Sequence, residues 1–356
     1  GGDEFIMVLD GISSQESIEA LCVRLIDQIK QPIVYEGQNI FVGGSIGIAL
    51  APQDATEANE LLRCADIALY QAKEDGRATW RFYASEMNQW LLQRRQLEMD
   101  LRQAMAMGEM ALQYQPRYRT NGMHIIGAEA LVRWQHPLRG LLTPAAFIAQ
   151  AEHAGLIHTL DQQVLAQACA QLARWAETPE FAHLSLSVNL SAHLLYQDNF
   201  VEGVLELLER SGADPARLKL ELTETLLLDN MPEAIARMTR LMQHGIRFAI
   251  DDFGTGYSSM SYLQQLPLDQ LKIDQTFIRR LPDDSSSLTI VRAICALATG
   301  LGLEVIAEGV DSEPQRGMLL ANGCHRYQGY LFGRPLSADA FEELVRATEA
   351  DDGVTA

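Results

Sequence analysis

No run of apolar residues in this 356-residue chain approaches the ~18 that a membrane helix requires, and no signal-peptide pattern is visible. Positive charge is scarce: 28 Lys and Arg stand against 47 Asp and Glu, a formal net charge of -19. Such a surface repels DNA, RNA and anionic membranes, so a binder of nucleic-acid polymers is excluded. A phosphate ligand would need metal cations or a local Arg or Lys to enter that field. Cysteines are few and odd in number (Cys22, Cys64, Cys169, Cys295 and Cys324), with no CxxC spacing. That excludes a disulfide frame and a thiolate zinc site, and it fits reduced core thiols. Low-complexity tracts, internal repeats and charge blocks are absent as well. What remains, 47% hydrophobic and 21% charged, is the composition of an ordinary soluble globular protein.

Two regions separate along the chain, joined by a helix. Residues 1–84 predict strand "EFIMVLD", helix "SQESIEALCVRLIDQIK", hairpin "IVYEGQNIFVGGSIGIAL", helix "EANELLRCADIALYQAKEDG" and strand "ATWRFYA". Residues 85–109 contain no Pro and no interior Gly, and their apolar residues recur at three and four, which predicts a connecting helix. Residues 110–350 alternate short apolar strands with helical segments. The strands are "ALQYQPRY", "IIGAEALVRW", "LSLSVNLS", "RLKLELTE", "IRFAIDDFG", "QLKIDQTFI", "LEVIAEGV" and "RYQGYLFG". Eight strands interleaved with helices predict an α/β fold, a (β/α)8 TIM-like barrel in preference to an open doubly wound sheet. The tail at 351–356 is polar and expected to fray.

Polar residues fall late on these strands: Glu129, Asn189, Glu221, Asp251 with Asp252, Lys272, Glu308 and Gln328. In a barrel the C-terminal strand ends meet at one mouth, so these residues should converge. A lone Glu at a strand end is more often a solvated rim residue or a helix cap, so no single acid carries the inference. Glu224 by itself reads equally as a cap or a loop brace, and "FGTGYSS" as a turn. Five carboxylates gathered at one mouth are different, because they repel one another unless cations intervene. The donor set is all oxygen, which favours Mg²⁺ or Mn²⁺ over zinc. Adjacent Asp251 and Asp252 suit a two-metal site, with Lys272 as the lone cation of the ring.

At these positions the sequence resembles the EAL-domain cyclic di-GMP phosphodiesterases, from about Leu101 to Thr348. The name motif stands as Glu129-Ala130-Leu131. It is followed in order by "SVNLSAHLL", "ELTET", "AIDDFGTGYSSMSYL", "LKIDQTFI", "VIAEGVDSEPQ" and "GCHRYQGYLFGRPL". The resemblance implies hydrolysis of cyclic di-GMP to linear pGpG by water, assisted by two Mg²⁺ or Mn²⁺ ions. It carries metal-ligand roles to Glu129, Asn189, Glu221, Asp251, Asp252 and Glu308, and catalytic roles to Lys272, Glu308 and Glu129. How Lys272 and Glu308 divide the activation of water stays open. Substrate contacts fall on Gln115, Leu131, Arg133 and Gln328, the Arg133 guanidinium suiting a phosphate oxygen. Glu224 is expected to brace the "DDFGTGYSS" loop, which in the family joins the metal site to a homodimer interface. Met260 stands where Leu is usual and Gln275 where Arg is frequent.

The first residues, "GGDEF" (Gly1 to Phe5), with "SIGIA" and "ADIALYQAKEDGR", resemble the C-terminal half of a GGDEF diguanylate cyclase domain. Lys73 and Arg77 would contact nucleotide phosphate there, and Ala78 replaces a common Asn. Asp3 lacks its family metal partner, so this segment should not cyclise GTP, and its half-sheet should expose an edge. The chain opens on Gly1 in place of Met, and an upstream segment, carrying any sensor or membrane anchor, is expected before a cytoplasmic catalytic domain. Two other functions stay open: a catalytically silent cyclic di-GMP receptor, and a bifunctional protein whose cyclase half regulates through GTP.

Overall fold

The computed structural model describes all residues except 1–2, 12–13, 36, 121–123, 228–229, 255–262 and 353–356. By compactness the chain divides into Gly1–Met99 and Asp100–Ala356, a boundary inside the helix Glu86–Met107. Among the described residues no helix is long and apolar enough to cross a membrane.

The N-terminal unit has little core. Helix Gln15–Ile29 starts on Ser14, whose side chain accepts from the Ser17 amide. Helix Ala58–Glu74 lies so close to strand Ile46–Ile48 that a Cβ on Gly47 would sit 2.1 Å from the Ala65 carbonyl oxygen. That strand pairs in parallel with Trp80–Phe82, and Ile33–Tyr35 pairs antiparallel with Gln38–Ile40. The strand expected over "EFIMVLD" does not form: Phe5 is 90% and Val8 89% exposed. A strand needs a neighbour for its backbone N–H and C=O groups, and no described strand lies beside this segment.

The second unit is a closed eight-stranded barrel. Its strands are β1 Met110–Arg119, β2 His124–His136, β3 Ser185–Asn189, β4 Leu218–Thr223, β5 Arg247–Phe253, β6 Gln270–Ile273, β7 Glu304–Ala307 and β8 Arg326–Tyr327. Neighbours pair in order from β1 to β8, and β8 closes on β1. One departure from the expected alternation stands out. β1 runs antiparallel to both β2 and β8, and no helix separates it from β2, so the barrel is mixed and not wholly parallel. Helices Ile157–Ala176, Phe200–Ser211, Met231–Gln243 and Ser285–Leu301 follow β2, β3, β4 and β6.

Strand β4 shows how the sequence specifies this barrel. In "LKLELT", Leu218, Leu220 and Leu222 are fully buried on one face, while Lys219 and Glu221, also buried, take the other. Side chains alternate along a strand, so the leucines pack outward under the helices and the charges turn into the barrel. The barrel interior is therefore polar, where apolar layers are usual.

Candidate active site

Four even-numbered strands place Gln328 (just after β8), Glu129 (β2), Lys272 (β6) and Glu221 (β4) in one chain of contacts, all at 5% exposure or less. Asn189 Nδ2 donates to Glu129 Oε1 at 2.6 Å, and Gln328 Nε2 and Arg117 Nη2 donate to Oε2 at 2.6 and 3.2 Å. The Asn189 amide nitrogen is thus engaged, leaving its carbonyl oxygen as a donor for a cation. Lys272 Nζ lies 2.5 Å from Glu221, 2.6 Å from Glu308, 2.9 Å from Asp251 and 3.7 Å from Glu129. Burial alone would lower the lysine pKa, but Asp251, Glu129, Glu221 and Glu308 hold it well above its ordinary value.

Adjacent residues of a regular strand point to opposite faces, yet Asp251 and Asp252 both reach the site. The register between β5 and β6 shifts between Ile250 and Phe253, and Asp252 adopts φ +52°. That irregularity turns the second carboxylate toward the first, at the cost of a backbone conformation that a non-glycine residue seldom adopts. Two trios result. Glu129, Glu221 and Asp251 offer oxygens within 4.8 Å of one another, as do Asp251, Asp252 and Glu308. Asp251 belongs to both.

The electrostatics are those of a site short of positive charge. Burial, with Asp251 and Glu129 close by, pushes Glu308 up to about 8 despite Lys272. Burial, Asp251 and Asp274 push Asp252 up to about 6. Asp251 is raised by burial and by Glu221 and Glu129, against the pull of Lys272. Glu221 alone moves down: burial opposes its charge, but Arg117 and Lys272 overcome that penalty. Each Glu221 oxygen has one cationic neighbour, Arg117 Nη1 at 2.7 Å from Oε1 and Lys272 Nζ at 2.5 Å from Oε2. Buried carboxylate oxygens with open acceptor capacity, in an all-oxygen cluster, fit a hard divalent cation.

A cavity of about 200 Å³ opens beside the acids, lined by Gln115, Glu129, Asp251, Lys272, Glu308 and Gln328, with Arg279 and Tyr330 at its outer part. A larger space of about 340 Å³ lies between helices Ile157–Ala176 and Phe200–Ser211 and contains none of these acids. Gln115 and Gln328 are joined, Nε2 of the latter donating to Oε1 of the former at 2.9 Å. Leu131 and Arg133 follow Glu129 along β2 but do not line the cavity. Arg133 is buried, donating to Gln113 Oε1 and the Val132 carbonyl, both at 2.9 Å, and burial lowers its pKa. Glu224 is buried with no hydrogen-bond partner on either carboxylate oxygen among the described residues. Of the 251–259 loop it was expected to brace, residues 255–259 lie outside them, as does Met260.

Sequence reasoning missed Arg117. Lys272 is not the lone cation of the ring: Arg117 is buried beneath the acids, paired with Glu129 and Glu221. The signal was present, since Arg117 stands two residues from Gln115 on the same face of β1.

The same assembly of motifs and barrel is found in known proteins. A model of the EAL domain matches residues 98–335, and one of the diguanylate cyclase GGDEF domain matches residues 1–79. The chain belongs to the EAL-domain family. The chain is 39% identical over 350 residues to the cyclic di-GMP phosphodiesterase NbdA of Pseudomonas aeruginosa, covering 98% of this chain and 44% of that protein. It is 39% identical over 339 residues to the bifunctional diguanylate cyclase/cyclic di-GMP phosphodiesterase MucR of the same species, covering 95% of this chain and 49% of that protein. The chain thus spans under half the length of either relative. Among solved structures, the PaMucR phosphodiesterase in complex with c-di-GMP superposes at a TM-score of 0.67 with 41% identity, over 69% of this chain and 99% of that one.

Proposed function

We propose that the EAL barrel of this chain hydrolyses cyclic di-GMP to linear 5′-pGpG with two Mg²⁺ or Mn²⁺ ions. The observation that carries the reading is the pair of carboxylate trios meeting at Asp251, with Lys272 in their midst. Glu129, Glu221 and Asp251, with the Asn189 carbonyl, would hold one cation, and Asp251, Asp252 and Glu308 the other. When bound, such cations polarise a phosphoryl oxygen and make water more acidic. Glu308, raised by burial in the metal-free site, would take a proton from an attacking water once a bound cation has ionised it. Lys272 supplies fixed positive charge toward the developing oxyanion. Gln115 and Gln328, on the cavity wall, serve as substrate donors and acceptors; Arg133, with Leu131 beside it, would take a phosphate oxygen by turning from Gln113 and the Val132 carbonyl. The relatives named as cyclic di-GMP phosphodiesterases and the c-di-GMP complex of PaMucR support the substrate.

Incubation of the purified chain with cyclic di-GMP and Mg²⁺ or Mn²⁺, with chromatographic identification of products, tests the reading. Metal-dependent pGpG is the expected result. Retained binding without turnover under either metal would instead favour a silent receptor. The proposal places this chemistry in the cytosol and in a homodimer formed through the barrel. Only monomer in sedimentation at micromolar concentration would refute the dimer.

The GGDEF-matching segment, and the bifunctional name of the relative MucR, favour a second, regulatory reading for that unit. Asp3, Lys73 and Arg77 are exposed there, and no acid trio gathers among its described residues. We infer that this segment alone does not cyclise GTP. Cyclic di-GMP formed from GTP by the isolated chain would overturn that inference.

A further inference from the structure

Arg117 belongs to no metal trio and does not line the cavity, yet it touches four residues of the site's framework. Nη1 meets Glu221 Oε1 at 2.7 Å and the Ser187 hydroxyl, Nη2 donates to Glu129 Oε2 at 3.2 Å, and Nε donates to Gln328 Oε1 at 2.8 Å. The side chain is 4% exposed, and the surrounding acids hold its pKa above the ordinary value although burial opposes it. By accepting from Nε, Gln328 Oε1 fixes the amide so that Nε2 points to Glu129 and Gln115.

We propose that Arg117 is a positioning residue for the metal centre, holding Glu129 and Glu221 as a preset ligand pair from beneath. The inference rests on the two-cation reading above. Stability is a poor explanation for such a residue. A buried ion pair commonly stabilises a fold no better than well-packed apolar side chains of the same volume. What a planar guanidinium provides is geometry: three nitrogens in a rigid fork, Nη1 aimed at Glu221 (with Ser187 beside it), Nη2 at Glu129 and Nε at Gln328. A Lys at this position supplies one charged point and cannot hold all three. Outer partners that orient ligands typically contribute 10- to 100-fold in metal affinity.

The test is direct Mn²⁺ binding, followed by the electron paramagnetic resonance of free Mn²⁺ without substrate, in the wild type, Arg117→Lys and Arg117→Met. Both variants should bind Mn²⁺ about 10- to 100-fold more weakly, Met worse than Lys, and excess Mn²⁺ should restore much of the turnover. A folded Arg117→Lys protein with wild-type Mn²⁺ affinity would overturn the proposal. So would unfolding of both variants, which would assign Arg117 to the stability of the barrel. The wild type separates the two claims. If it binds no Mn²⁺, the metal-centre reading itself fails. If it binds and both folded variants match it, only the role of Arg117 fails.

Discussion

The two ends of the barrel bury charge in opposite ways. At the mouth, five acids (Glu129, Glu221, Asp251, Asp252 and Glu308) gather around Arg117 and Lys272, and three of them are pushed up in pKa. At the other end, where the parallel strands begin, Lys219, Gln270, Glu304 and Arg326 form a closed network. Arg326 grips both oxygens of Glu304, and Lys219 Nζ donates to Gln270 at 3.1 Å and lies 3.8 Å from Glu304. Burial pushes Lys219 down to about 8. The far end pairs its charges among its own side chains, whereas at the mouth, among the described residues, the acids outnumber the cations that touch them. Buried charge as such does not mark a site; an uncompensated surplus of one sign does.

The largest effect should come from the residue the two trios share. Asp251→Asn is expected to lower kcat by roughly 10²- to 10³-fold or more, while the metal-free thermal midpoint stays the same or rises. The ionised form of Asp251 is disfavoured in the metal-free site, so removing its charge relieves repulsion. A variant that loses activity and stability together would place this acid in the framework.

Next comes pH. Because Glu308 titrates near 8, a cation must displace its proton, and Mn²⁺ affinity should rise up to about tenfold per pH unit before levelling off near pH 8. Isothermal titration from pH 6 to 9 measures this, and a flat profile would count against Glu308 as a ligand. The stability of the metal-free protein supplies the signs. Glu308 is raised from 4.5, so the folded state binds the extra proton, and the contribution of this residue falls as pH climbs from 4.5 to about 8. Lys219 is depressed from 10.5, so its contribution rises between about 8 and 10.5. Denaturant titrations of wild type against Glu308→Gln and Lys219→Met, above and below pH 8, would separate the two ends.

At the far end, Glu304→Gln should cost about 1.5–3 kcal/mol of stability by leaving Arg326 and Lys219 underpaired, read from the denaturation midpoint. Its kcat at saturating metal should stay near the wild type. The smallest effect belongs to Lys219→Met, within about 1 kcal/mol at neutral pH, since an apolar side chain of similar length replaces a charge that burial disfavours. A large loss of turnover in either variant would merge the two ends into one functional unit.

Much of this contrast was legible beforehand. Short apolar runs placed all eight barrel strands, and the acids stood at the strand ends in the order the fold brings together. Three features were not legible, for different reasons. The reversal of β1 depends on which strands pair, and "ALQYQPRY" has the same alternation in either direction. The irregularity that points Asp251 and Asp252 the same way is a backbone property, invisible in two consecutive aspartates. Arg117 and the Lys219 network lie on inward faces of strands that periodicity reads as ordinary half-polar strands. Only closure of the barrel shows those faces to be buried. The segment after Asp3 failed for the converse reason: a good strand pattern cannot form a strand without a neighbour.

The central claim is most directly tested by counting the Mn²⁺ ions bound by the purified chain at pH 8, close to where Glu308 gives up its proton. Two ions per chain, with at least one lost in Asp251→Asn and both kept in Glu304→Gln, is the predicted result. A wild-type chain that binds none, or whose binding is abolished by Glu304→Gln and untouched by Asp251→Asn, would contradict it.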